Sequence, residues 1–239
     1  MSEARARVLP CGDAALLVEL KGEGDDLTPR VLGLERAVAG AALPGIVECV
    51  PGLTTLLVEY DPLLVAPDTL AADLLILAAS ASVHQPIGRR FELPVCFEPD
   101  HGPDLAATAV AAGMPADDLV GLLCHTALRV ALIGHLPGLP YLSGLPAVLD
   151  LPRRPTVRAR VPAGSLGLAA RMACVYPQTA PGGWHLVGRT PARLVDPESD
   201  PPVRLSPGDS VRLRAVDGAT FGALADLEAA GEPALRIEA

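Results

Sequence analysis

What most limits the fold of this chain is its punctuation. Proline occurs 25 times and glycine 23 times in 239 residues, with no collagen-like period. Proline lacks the N–H that a sheet ladder needs, and glycine loses the most entropy on ordering, so both gather where regular elements end. After Gly134 the pattern is densest. β-like runs around Val157 to Val161, Leu166 to Ala170, Cys174 to Tyr176, Trp184 to Val187 and Val211 to Val216 are separated by Pro/Gly turns every ~8–12 residues. That spacing predicts a barrel or a sandwich.

The first third has a different texture. Arg7 to Leu20 reads as two short strands around Cys11-Gly12-Asp13. Leu27, Val31, Leu34 and Val38 then recur at helical spacing from a Thr28-Pro29 start to a Pro44-Gly45 stop. Ile46 to Val50 and Thr54 to Tyr60 form a predicted hairpin across Pro51-Gly52, and Asp68 to Ala79 is a second helix. Strand, strand, helix, strand, strand, helix is the order of a small α+β layer with both helices on one sheet face. Residues 84–90, His84-Gln85-Pro86-Ile87-Gly88-Arg89-Arg90, read as a linker. Beyond it, Phe91 to Phe97 and Leu128 to Ile133 are predicted strands that bracket helices at Asp104 to Ala112 and Asp117 to Leu123. Thr220 to Ala230 is a late helix and Ala234 to Ile237 a closing strand.

Half of the residues are apolar, 20% are charged and only 3% are aromatic, so a core of Leu, Val and Ala can offset the ordering entropy. The net charge of −9 argues against nucleic acid or anionic membrane as a partner, since both require a positive surface. Five cysteines without a C-x-x-C spacing, together with the lack of an apolar leader or a bilayer-length run, predict a cytoplasmic protein. Lys21 is the sole lysine and sits in a Gly-rich acidic turn, Lys21-Gly22-Glu23-Gly24-Asp25-Asp26. A Ser-Ser-Lys amidase arrangement or a lysine-bearing phosphate loop therefore has no good candidate in this chain. Ser165 follows Gly164 directly, which breaks the G-x-S-x-G elbow. Cys96 with His101, and Cys124 with His125, do not reach a four-ligand zinc spacing, so no metal ligands are assigned.

The densest signals lie between Ile133 and Asp209. Ile133-Gly134-His135-Leu136-Pro137-Gly138-Leu139-Pro140-Tyr141-Leu142 is expected to be a shaped loop, because its prolines and glycines suit neither helix nor sheet. Trp184, the sole tryptophan, reads as a buried anchor. The motifs PVCF from Pro94, HGPDL from His101, PGLPYLSGLP from Pro137, PRR from Pro152, VPAGS from Val161, YPQTAPGGWHLVGRTP from Tyr176 and PGD from Pro207 occur in that order. In them the chain resembles, over nearly its whole length, the family of small subunits of the bacterial ATP-dependent 5-oxoprolinase. That family was long labelled allophanate hydrolase subunit 1 and includes the sporulation histidine-kinase inhibitor. Where relatives read G-F-x-P-G-F-P-Y-L, this chain has His135 and Leu139 in place of the phenylalanines. Where they read Q-T-G-I-Y-P, it has Met172-Ala173-Cys174-Val175-Tyr176-Pro177.

The resemblance implies an α+β N-terminal domain (1–83), a linker (84–90) and a mainly-β cyclophilin-like barrel domain (91–239). It implies a subunit that is not self-sufficient, in an ATP-dependent hydrolase converting 5-oxoproline to glutamate. Its partners would be a larger homologous barrel subunit and a third, lactam-hydrolysing subunit, with ATP shared across the complex. An allophanate or urea-type amide hydrolase, or a regulatory module like the kinase inhibitor, are the alternatives. Anion contacts are expected at Arg153, Arg154 and Arg189, because arginine can grip carboxylate and phosphate in bidentate fashion. Ser165, Tyr176 and His135 are candidates for hydrogen-bonding or catalytic roles, and Pro137, Gly138, Tyr141 and Gly183 would shape the pocket.

Overall fold

The computed structural model describes residues 5–22, 27–84 and 88–237. Residues 23–26 of the acidic turn and 85–87 of the predicted linker lie outside the described residues. The chain divides into two compact units, Met1–Gln85 and Pro86–Ala239.

In the first unit, strands β1 (Arg5–Pro10), β2 (Ala15–Lys21), β3 (Ile46–Pro51) and β4 (Thr55–Tyr60) form an antiparallel sheet of order β1-β2-β4-β3. Alternation decides its faces. Leu16, Val18 and Leu20 of β2, with Leu56, Val58 and Tyr60 of β4, point to one side and are buried. Helices α1 (Thr28–Ala41) and α2 (Pro67–Ser80) cover that side with Val31, Leu34 and Val38, and with Leu70, Leu74 and Ala78. Both helices carry proline in their first turn, where the missing N–H removes no hydrogen bond.

The second unit is the barrel. Its strands are β5 (Arg90–Cys96), β6 (Leu128–Ile133), β7 (Pro140–Ser143), β9 (Ser165–Ala169), β10 (Met172–Val175), β12 (His185–Arg189) and β13 (Ser210–Val216). They follow the order β12-β9-β10-β7-β6-β13-β5, and pairing of β12 back to β5 through Arg189 and Cys96 closes the ring of seven. Closure removes the exposed edges that an open sheet of this length would present. A short β14 (Arg236–Ile237) adds to β5, and β8 (Arg158–Val161) pairs with β11 (Ala180–Gly182) as a separate ribbon. The interior holds Leu93, Val95, Leu142, Leu166, Leu168, Val175 and Val187, plugged by α3 (Leu105–Ala111), α4 (Ala116–His125) and α5 (Gly218–Ala229) through Ala109, Leu119, Leu123 and Leu224. Among the described residues no single helix is long and apolar enough to cross a membrane.

One expectation needs correction. The stretch Ile133 to Leu142 is not loop throughout: Pro140–Ser143 is β7, a barrel strand paired with both β6 and β10. Pro140 is tolerated because it is the strand's first residue, opposite Ile133, at the end of the ladder. The loop proper is 134–139, closed by the Gly134 N–H donating to the Leu139 carbonyl at 2.8 Å.

Candidate functional site

The strands β7, β10, β9 and β12 are buried on both faces. Their inward residues fill the barrel. Their outward residues, Tyr141, Cys174, Ala169 and Leu186, join Leu139, Tyr176 and Trp184 in a second apolar cluster that Val161 of β8 and Ala180 of β11 roof over. In a chain this poor in aromatics, that cluster gathers two of the three tyrosines and the sole tryptophan. Tyr141 meets the Trp184 ring edge-on, with centroids 5.6 Å apart and planes at 77°. The Tyr176 hydroxyl fills the space that a Cβ on Gly182 would need, so the glycine is required for the ring to enter.

Arg153 is set above this cluster by its backbone neighbours. The Ala170 N–H donates to the Leu151 carbonyl at 2.7 Å, the His185 Nε2 lies 2.9 Å from the Pro152 carbonyl, and the Arg154 N–H donates to the Gly183 carbonyl at 2.7 Å. Pinned on both sides, Arg153 places its guanidinium carbon 5.5 Å from the centroid of the Trp184 ring. It forms no ion pair with any described residue. Burial pushes the hydroxyls of Tyr141 and Tyr176 and the thiol of Cys174 above their ordinary pKa values, and the Arg153 charge opposes each shift only in part. These groups stay protonated at neutral pH and offer hydrogen bonds, not negative charge, so Arg153 faces no competing anion there.

Arg154 has the opposite fate. It donates to Asp104 Oδ1 at 3.0 Å, Arg158 donates to the same oxygen at 2.7 Å, and the Leu186 N–H donates to Oδ2 at 2.7 Å. Burial raises the Asp104 pKa, but the Arg158 and Leu186 hydrogen bonds and the two guanidinium charges outweigh it, and the carboxyl titrates below its ordinary range. Asp104 is the third residue after His101 in the HGPDL motif, and sequence reasoning assigned it no role. The buried carboxylate fastens the start of α3 to β12, whose first residue follows Trp184.

Ser165 and Arg189 come together elsewhere. They are directly opposed across β9 and β12, and Arg189 lies five residues along the chain from Trp184. That is about 16 Å of extended strand. Ser165 is buried, and no imidazole or carboxylate among the described residues hydrogen-bonds to it. Arg189 donates from Nε to the Ala163 carbonyl at 2.8 Å and lies 5.9 Å from the Phe221 ring, whose other neighbour is His101 at 4.2 Å. His135 and Pro137 are exposed in the β6–β7 loop, while Gly138, with φ of +70°, packs against Val195. The expected residues thus fall into four places: Arg153, Tyr141, Tyr176 and Gly183 around the aromatic cluster; Arg154 in the Asp104 network; Ser165 with Arg189 at the far end of β12; and His135, Pro137 and Gly138 in the β6–β7 loop.

Residues 6–205 match the family described as the carboxyltransferase domain, subdomains C and D. The chain belongs to this carboxyltransferase-domain family. It is 36% identical, over 218 residues, to one of the 5-oxoprolinase subunits of Escherichia coli O157:H7, in a match that covers 87% of this chain and 95% of the relative. The solved protein TTHA0988 superposes with a TM-score of 0.70 at 32% identity over 85% of this chain, and this chain spans 40% of its length. The Kluyveromyces lactis urea carboxylase superposes with a TM-score of 0.83 over 98% of this chain and 24% of the carboxylase, with an identity of 21% that makes the likeness one of fold. The span matched to the carboxyltransferase-domain family contains the whole aromatic cluster and the Asp104 network, whereas α5, with Phe221, falls beyond it.

Proposed function

We propose that this chain is the small barrel subunit of an ATP-dependent 5-oxoprolinase, which opens 5-oxoproline to glutamate together with a larger homologous barrel subunit and a third, lactam-hydrolysing subunit. The match to the Escherichia coli 5-oxoprolinase component over almost all of that relative supports the assignment. The observation that carries it is Arg153, held over Trp184 beside Tyr141 with no carboxylate partner among the described residues. A five-membered lactam with a carboxylate suits such a place, its anion gripped by two guanidinium N–H groups that the buried Trp184 ring backs.

The chemistry explains the need for ATP and partners. An unstrained amide resists water. Transfer of the terminal phosphoryl group to the lactam oxygen makes the ring carbon electrophilic, water adds there, the C–N bond breaks with a proton taken up by nitrogen, and phosphate leaves. None of the described residues forms a self-contained nucleophile and base, which supports dependence on the other subunits and on ATP bound within the complex.

The test is ATP-dependent glutamate release by the reconstituted complex. Arg153→Ala should lower kcat/KM by about 10–100-fold, the effect of losing a charge-assisted contact, mainly by raising the KM for 5-oxoproline. Absence of ADP and glutamate from an intact complex would overturn the activity. An unchanged KM in the variant would overturn the site.

A further inference from the structure

The barrel carries a pocket built from other elements than the aromatic cluster. It holds about 360 Å³ and is lined by Arg90 and Phe91 of β5, Ser210, Val211 and Arg212 of β13, and His125, Thr126 and Ala127 at the end of α4. That volume lies near the lower end of the ~300–1,000 Å³ range of small-molecule sites. β5 and β13 run parallel here, with Arg90 opposite Ser210 and Glu92 opposite Arg212, so both strands begin at the pocket.

Its charge runs against that of the whole chain. In a protein of net charge −9, Arg90, Arg129, Arg212 and Arg214 occupy neighbouring positions on β5, β6 and β13. Glu92 is the one carboxylate on the paired positions of β5 and β13, and it is shared between Arg212 at 3.2 Å and Arg214 at 2.7 Å. Arg90 is exposed and forms no ion pair among the described residues. His125 Nδ1 lies 2.7 Å from the Gly121 carbonyl. A carbonyl only accepts, so Nδ1 carries the hydrogen and Nε2 is left for a ligand. The Ser210 hydroxyl has no hydrogen bond among the described residues and can donate as well.

We propose that this pocket binds a phosphate group, as inorganic phosphate or as the phosphomonoester of a small metabolite, with Arg90 as its principal contact. The donors decide the class. The Arg90 fork, the Ser210 hydroxyl and the Arg212 guanidinium turn two charged groups toward one ligand, which suits a dianion better than the single charge of a carboxylate. A phosphomonoester offers three terminal oxygens and a charge of about −1.5 to −2 at neutral pH. The volume leaves room for a small organic body behind it.

Calorimetric titration of the full chain at constant ionic strength tests this, using inorganic phosphate, glycerol phosphate and acetate as probes. One of the two phosphates should bind and acetate should not, and whichever phosphate binds tighter identifies the source of the group. Arg90→Gln should weaken phosphate binding by at least about tenfold, and Ser210→Ala should weaken it by a smaller factor. Melting temperatures of both variants, measured alongside, separate lost binding from lost folding, and Arg90 is exposed enough for its replacement to fold. Phosphate binding no tighter than acetate binding, or unchanged by folded Arg90→Gln, would overturn the proposal.

Discussion

Replacing Asp104 probes the assembly of the aromatic site. The residue is 6% exposed and receives three hydrogen bonds of 2.7–3.0 Å, two from arginines and one from the backbone of the strand beside Trp184. In Asp104→Ala both guanidinium groups lose their counter-ion. Neither has a fallback, because Arg154 Nε and Arg158 Nη1 are already buried without a hydrogen-bond partner. Removing one member of a buried pair costs about 3–5 kcal/mol. The arginine side chains remain 31% and 26% exposed, so water recovers part of the loss and the lower figure applies. A loss of about 3 kcal/mol should lower the melting temperature of a unit this size by about 6–12 °C. Urea unfolding followed by Trp184 fluorescence measures the loss directly. The pH dependence carries a sign. The folded carboxyl titrates below its reference value of 3.8, so its stabilisation is complete above that pH and is lost as the pH falls through the lower folded value. Below about pH 4 the wild type should therefore lose stability more steeply than Asp104→Asn, which has no charge to titrate. A loss under about 1 kcal/mol, the level of an exposed ion pair, would refute the reasoning.

The glycine at the start of β9 offers a second test. Gly164 has φ of +80°, and a Cβ there would overlap the Thr190 carbonyl oxygen, so Gly164→Ala should cost about 2–4 kcal/mol. Gly12→Ala, at φ of +69° with nothing within 4 Å, should cost about 1 kcal/mol, and equal losses on denaturation would contradict the contact argument. Trp184→Ala should destabilise the barrel by about 3–5 kcal/mol, whereas Trp184→Phe should keep most of the stability and lose part of the Arg153 effect on KM. Thiol reagents should label exposed Cys11 in the native protein and reach buried Cys96 and Cys174 only after unfolding; burial raises both of those thiols, and rapid native labelling of Cys174 would contradict its place in the cluster.

Local signals were legible wherever one element's own residues decide its form. Thr28-Pro29 starts α1, Pro51-Gly52 turns β3 into β4, and the alternation of β2 names the face its helices cover. The family motifs likewise pointed to the barrel. β7 escaped because Pro140 argues against a strand until Ile133 is known to sit opposite it. Asp104 escaped because an isolated aspartate at a helix start has an ordinary local role.

The amino-acid sequence by itself determined the alternation, the turns and the supply of arginines, all of which follow from steric and hydrogen-bonding rules acting over a few residues. Only the tertiary structure decided how those arginines are used. Arg153 and Arg154 are neighbours of identical chemistry, yet one lies over Trp184 without a counter-ion among the described residues and the other is bound to Asp104, 50 residues away. The difference is set by barrel closure, which brings distant strands and a buried carboxylate to one of the two side chains and an aromatic face to the other.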